Sequence, residues 1–298
     1  MTIGGRNFTW GSRTYLMGIL NITPDSFSGD GVLSSPISSG PTVSEAEMVD
    51  AAVELAGRFV EAGADILDVG GESTRPGSSP VEAELELSRV LPVIRALVRE
   101  FDVLISIDTY KYEVAEAALE AGAHMVNDVW GLKADPELGR VVAKHGAPVV
   151  LMHNRSSWVH AEIRERLGGR YVDIPYDDLI EDIKRELLES VSMAEAAGIS
   201  RERIILDPGI GFGKTVEQNL ELIDRLPEIR SLGFPLLIGP SRKSFIGYTL
   251  DLPPDQRLEG TAAAVAVGIV RGADIVRVHD CEFMSRVVRM TDAIVRRS

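Results

Sequence analysis

Eight short apolar stretches of the chain end in residues that can do chemistry: Asn21, Asp68, Asp108, Asn127 with Asp128, His153, Asp207, Lys243 just past its stretch, and Arg277 with His279 and Asp280. Carboxylates and amides at the ends of buried strands need donors to satisfy them. A flat heterocycle with adjacent N–H groups supplies such donors in pairs. Lys243, Arg277 and His279 bring positive charge, which suits an anionic substrate or leaving group. Any one of these residues could simply cap a loop or the next helix. As a set they argue for one polar pocket, because strands closed on themselves would crowd all the ends together.

The stretch "LDPGIGFGKT" at 206–215 raises a second possibility, a phosphate-cradling loop. Counting back from Gly213-Lys214-Thr215, the first glycine of that pattern falls on Pro208, which has no N–H to donate. The near miss reads better as a tight turn carrying Asp207 and Phe212, with Lys214 and Thr215 starting a helix. On that reading, charge reversal at Lys214 should hurt less than Asp207→Asn. Metal-ligand spacings are absent, although a weakly held Mg²⁺ that keeps most of its waters leaves little trace in a sequence. No serine occupies a nucleophile elbow. Lys243 could form a Schiff base; its simpler role is electrostatic.

Such residues need elements to position them, and an internal repeat supplies these. "EAGADILDVGG", "EAGAHMVNDVWG", "KHGAPVVLMHN" and "RGADIVRVHD" share one grammar: helix, glycine, alanine, a short apolar run, then polar residues. The glycine fits a helix C-cap with positive φ. The unbroken apolar run fits a strand buried on both faces of a parallel sheet. The pattern predicts strands near 14–22, 64–70, 103–108, 124–128, 148–153, 204–207, 235–239 and 275–279. It predicts helices near 44–62, 81–100, 111–121, 135–145, 176–197, 215–226, 258–271 and 281–297. Ser44 with Glu47 forms a capping box, and Pro136 after Asp135 marks a first helical position. Alternation of this kind predicts an α/β fold, a single (β/α)8 TIM barrel filling one domain over 1–298. A doubly wound sheet is the alternative. In a barrel the active site lies where the strands end.

Composition narrows the function classes. A net charge of −14 argues against nucleic-acid and membrane partners. The one cysteine, Cys281, excludes an internal disulfide and points to a reducing, cytoplasmic setting. No apolar run approaches membrane-spanning length.

The motifs at the predicted strand ends resemble those of the dihydropteroate synthases: "GILNITPDSFS", "DVGGESTRPGS", "ISIDTYK", "VNDVWG", "DPGIGFGKT", "GPSRKSFIG" and "RVHD". They span almost the whole chain. The resemblance implies a TIM-barrel transferase of folate biosynthesis, which joins p-aminobenzoate to 6-hydroxymethyl-7,8-dihydropterin pyrophosphate. It implies that Asp108, Asn127, Met152, Asp207, Phe212, Gly239 and Lys243 surround the pterin. Asn21, Arg277 and His279 would take the diphosphate, with Asn21 helping to hold Mg²⁺. Thr74, Arg75, Pro76, Ser244, Asp25 and Phe27 would frame the p-aminobenzoate. Of these, Asp108, Asp207, Lys243, Arg277 and His279 would be catalytic. The segments 23–43 and 73–79 would close over the pterin, so that p-aminobenzoate binds second. The resemblance also implies a homodimer. The chain departs from the family's usual pattern at "FSGDG" and "MHNRSSW". Two other readings stay open: a pterin-binding module of a corrinoid methyltransferase, and a paralogue that keeps the fold without the reaction.

Overall fold

A closed barrel admits every second side chain of each strand to its interior, and this sequence meets that demand eight times. The computed structural model describes residues 1–23, 44–73 and 80–296. Asp25, Phe27, Thr74, Arg75 and Pro76 lie outside the described residues, as do most of the two segments expected to close.

The chain opens with a small antiparallel hairpin, β1 (Thr2–Ile3) and β2 (Arg6–Asn7). Then come β3 (Tyr15–Asn21), β4 (Ile66–Gly70), β5 (Leu104–Asp108), β6 (Met125–Asp128) and β7 (Val149–Met152). A second antiparallel hairpin, β8 (Ala161–Arg164) and β9 (Gly168–Tyr171), interrupts the series. It resumes with β10 (Ile204–Asp207), β11 (Leu237–Ile238) and β12 (Ile275–Val278). The parallel order is β10-β7-β6-β5-β4-β3-β12-β11, and a bridge from Leu206 to Leu236 closes the last strand on the first. Neighbours follow chain order with no switch point, which makes this a barrel and not a doubly wound sheet.

Helices cover the outside: α1 (Glu45–Glu61), α2 (Ala83–Glu100), α3 (Tyr112–Glu120), α4 (Leu138–His145), α5 (Leu179–Ala196), α6 (Val216–Asp224), α7 (Leu226–Arg230), α8 (Ser244–Leu250), α9 (Leu258–Val270) and α10 (Cys281–Val295). The Ser44–Glu47 capping box is present. Gly63, Gly122, Gly146 and Gly272, the four glycines of the repeat, have φ between 59° and 108°. One expected start moves: α4 begins at Leu138 rather than at Pro136. The Asp135 carboxylate accepts instead from Tyr112 N, at the start of α3, and from Glu137 N.

The interior is built in layers. Each of the eight strands gives one residue to an apolar ring: Met17, Ile66, Leu104, Met125, Val150, Ile205, Leu237 and Ile275, all buried. Ile3 and Phe8, from the first hairpin and just past it, plug the ring from below. Moving two residues along each strand returns to the same side. Those positions hold Ile19, Asp68, Ser106, Asn127, Met152, Asp207, Gly239 and Arg277. The next layer includes Asn21, Asp108 and His279. The polar site is therefore set on a fully apolar floor.

Candidate active site

Arg277 organises the centre. Its Nε donates to Asp68 Oδ2 and its Nη2 to Asp108 Oδ2, each at 2.6 Å. Asn127 Nδ2 donates to the same Asp68 oxygen at 2.9 Å. Asp68 is 0% exposed, and its Oδ1 is buried without a hydrogen-bond partner among the described residues. One guanidinium thus compensates two carboxylates that neighbouring strands force together. Burial pushes the Asp108 carboxyl up to about 7; Arg277 opposes that rise and Asp68 adds to it.

Asp207 ends β10 and accepts from Gly209 N at 2.7 Å. Burial raises its carboxyl to about 6, while the Gly209 N–H and the Lys243 charge pull downward. The loop beyond it is bent tightly. A Cβ on Gly209 would lie 1.9 Å from His153 O, and one on Gly213 would lie 2.2 Å from Arg155 C. No side chain fits either place.

Lys214 is not the helix-starting residue that the sequence suggested. It is 2% exposed, and its three donors are taken up by Gly209 O at 2.9 Å, Phe212 O at 3.0 Å and His153 Nδ1 at 2.9 Å. Facing the protein's own acceptors, it is not arranged as a phosphate-loop lysine. Burial pushes its ammonium down to about 7 and the His153 imidazolium down to about 3. A neutral His153 accepts at Nδ1 and donates from Nε2 to Glu186 Oε2 at 3.0 Å. Burial acts to raise the Glu186 carboxyl, but hydrogen bonds from His153 and Arg155 outweigh it and hold the carboxyl well below the usual range. Thr215 is the N-cap of α6, in a capping box with Gln218.

Lys243 packs against this loop from the neighbouring strand end, with Nζ 3.9 Å from the centre of the Phe212 ring. The contact is a cation–π pair, which holds the Lys243 side chain against the loop. Gly211 leaves room for it: a Cβ there would come within 2.8 Å of Lys243 Cδ. His279 is oriented by Ser241, whose Oγ lies 3.0 Å from Nδ1.

These groups share one cavity of about 390 Å³. It is lined by every described residue expected at the site: Asn21, Asp108, Asn127, Met152, Asp207, Phe212, Gly239, Lys243, Ser244, Arg277 and His279. The sequence reading missed several others. Asp68 appeared only as a strand end, although its burial beside Arg277 makes it the main counter-charge. Glu72 lines the cavity while bound by Lys111 and Tyr110. The residues of the β8–β9 hairpin carried no motif; the Gly168-Gly169 pair was the available signal for it. Among the described residues, the one group of three ligating side chains suited to a metal is Glu116, Glu120 and His145, on α3 and α4 outside the cavity. Lys144 pairs with Glu116 there. Inside the cavity Asn21 offers an amide oxygen, the modest share that Mg²⁺ takes when substrate phosphates and water complete its shell.

Known proteins carry the same pattern. The family model for pterin binding enzymes matches residues 17–279. A dihydropteroate synthase of Clostridium beijerinckii is 48% identical over 298 residues, covering 100% of both chains. A crystal structure of a Clostridium difficile dihydropteroate synthase in the presence of pteroic acid is 47% identical, with a TM-score of 0.84 over 98% of this chain and 100% of that one. A Xanthomonas albilineans dihydropteroate synthase with 4-aminobenzoic acid is 41% identical, with a TM-score of 0.82 over 97% of this chain and 96% of that one. With the barrel, the buried acceptor set and full-length identity all in agreement, this chain belongs to the dihydropteroate synthase family of pterin-binding transferases in folate biosynthesis.

Proposed function

We propose that the cavity condenses 6-hydroxymethyl-7,8-dihydropterin pyrophosphate with p-aminobenzoate, giving 7,8-dihydropteroate and pyrophosphate by an SN1-like displacement. The observation that carries this reading is the sharing of one cavity by acceptors (Asp108, Asn127, Asp207) and cations (Lys243, Arg277, His279). Asp207 and Asn127 accept from the aminopyrimidine edge of the pterin, beside Met152 and Phe212. Arg277 and His279, with Asn21 on the adjoining strand, receive the diphosphate. The bond from the pterin methylene carbon to oxygen breaks, and its electron pair leaves with the pyrophosphate. The methylene cation is delocalised into the pterin and favoured by the charges of Asp68 and Asp108. The p-aminobenzoate nitrogen donates its lone pair to form the C–N bond and loses a proton to solvent. No covalent enzyme intermediate is needed. Mg²⁺ held by Asn21 would neutralise developing charge on the leaving group.

The test uses the purified chain with Mg²⁺ and both substrates, measuring pyrophosphate release. Release that requires both substrates is expected. Tight pterin binding with no release would favour a non-catalytic or methyltransferase-type module instead. In calorimetry, Mg²⁺ should strengthen pyrophosphate binding to the unmodified chain, and Asn21→Ala should lose most of that increment.

The protein also reads as a homodimer. α9 and α10 pack side by side and expose Val267, Val270, Met290, Ile294 and Val295, apolar side chains that a second chain would cover. Sedimentation should give twice the chain mass, and Met290→Glu with Ile294→Glu should give the single chain. An unmodified protein that sediments as a single chain overturns this reading. Buried Cys281, whose thiol burial pushes up, suits a reducing cytoplasm. Among the described residues no helix is long and apolar enough to cross a membrane.

A further inference from the structure

The β8–β9 hairpin is fastened to the loop that carries Lys243 and Ser244. Arg257 makes the main tie. It is 3% exposed, and its Nη2 donates to Leu167 O at 2.9 Å while its Nη1 donates to Arg242 O at 3.0 Å. Its Nε reaches Leu252 O at 3.2 Å. Gly247 makes way for it, since a Cβ there would sit 2.2 Å from Nη2. Tyr248 Oη adds a bond to Gly168 O at 3.1 Å, and the Arg170 guanidinium lies 4.5 Å over the Tyr248 ring. Arg166 pairs with Asp251 at the end of α8. A hairpin inserted after β7 therefore crosses β10 and is bolted to α8.

This placement gives it a face on the cavity. Ile163, Leu167, Gly168 and Gly169 line the cavity together with Ser244 and Arg257. In the strand order β7 stands opposite β3, whose end carries Asn21. The hairpin starts from that far side and, tied to Tyr248 and Arg257, borders the cavity beside Ser244. Ile163 is 61% exposed, in a strand whose neighbours Glu162 and Arg164 are charged. It pairs with Gly169, which offers no side chain to cover it.

We infer that the Ala161–Tyr171 hairpin is a fixed wall of the arylamine half of the cavity, and that Ile163 is a specificity-determining contact for the second substrate. The inference rests on the reading of the cavity as a dihydropteroate synthase site. A benzoate ring seated between Ser244 and the hairpin would cover Ile163, while the pterin and the diphosphate engage residues deeper in the barrel and on other strands.

The test is steady-state kinetics of the unmodified chain, Ile163→Ala and Ile163→Trp with both substrates. Ile163→Ala should raise KM for p-aminobenzoate about fivefold, the factor expected from losing part of one isoleucine's apolar cover. Ile163→Trp should shift the same KM at least as far by narrowing the wall. In both, kcat and KM for the pterin pyrophosphate should stay within about twofold of the original, because no contact to that substrate changes. The inference is overturned if KM for p-aminobenzoate stays put in both variants, or if both KM values move together. The unmodified chain is the control: no turnover there would overturn the reading of the site, and with it this inference.

Discussion

Replacing Arg277 with methionine should be the most damaging single change at the site, lowering stability and activity together. The side chain holds two carboxylates, Asp68 and Asp108, through separate nitrogens at 2.6 Å. Removing one partner of a buried ion pair costs about 3–5 kcal/mol, because the remaining charge is stranded. A melting temperature lower by about 10 °C is the expected reading. The charge that would meet the departing pyrophosphate is lost as well, so kcat/KM should fall about a thousandfold. The two effects can be separated. Adding Asp68→Asn to Arg277→Met removes one stranded charge and should restore much of the melting temperature, with kcat/KM left low. Arg277→Lys keeps the charge but lacks the fork that reaches both carboxylates, so it should fall between. If the double variant recovered activity along with stability, Arg277 would be a structural residue alone.

The ends of the strands were legible because a continuous apolar run that stops at a polar residue marks where a buried strand leaves the core. The interior layering was hidden in those same runs. In "ILDVG" both faces of the strand are apolar except at Asp68, and composition does not say which face looks inward. Closure of the barrel decides that, by placing Ile66 in the floor and Asp68 above it. For the same reason the Asp68–Arg277 pair, 209 residues apart in the chain, has no local signature. The first hairpin was readable in principle, since Gly4-Gly5 between short strands is a turn signal. The second was obscured by the charged residues of "EIRERLGGR", a pattern that fits an exposed loop equally well.

Lys214 and Asp207 stand seven residues apart, and their substitution should give opposite signatures. The sequence alone ranks Lys214→Glu as the milder change; its burial reverses the order for stability. Even the uncharged Lys214→Met leaves Gly209 O, Phe212 O and His153 Nδ1 without their donor. Three stranded acceptors at about 1–3 kcal/mol each put the loss near the upper half of what one residue can do. Lys214→Glu adds a carboxylate to acceptors that already face inward, near Glu186, and should not yield folded protein at 37 °C. Asp207→Asn keeps an oxygen for Gly209 N and removes a charge that burial disfavours. With a carboxyl raised to about 6 from an ordinary 3.8, the folded chain holds the proton longer than the unfolded one. Its stability contribution is therefore full below the unfolded value and is lost as pH rises through about 6. Removing the charge should leave the melting temperature at pH 7.5 unchanged or higher. On the proposed reading activity runs the other way, because the ionised oxygen would be the acceptor for the pterin N–H groups. In the unmodified chain, kcat/KM for the pterin pyrophosphate should climb as pH passes upward through about 6. In Asp207→Asn it should be lower by about a hundredfold and lose the part of the rise near pH 6, keeping the rise through about 7 that ionisation of Asp108 contributes. Melting curves and pH–rate profiles of the three variants decide the matter. A Lys214→Met protein that melted like the original but failed to bind the pterin pyrophosphate would return Lys214 to the phosphate-binding role that its geometry denies it.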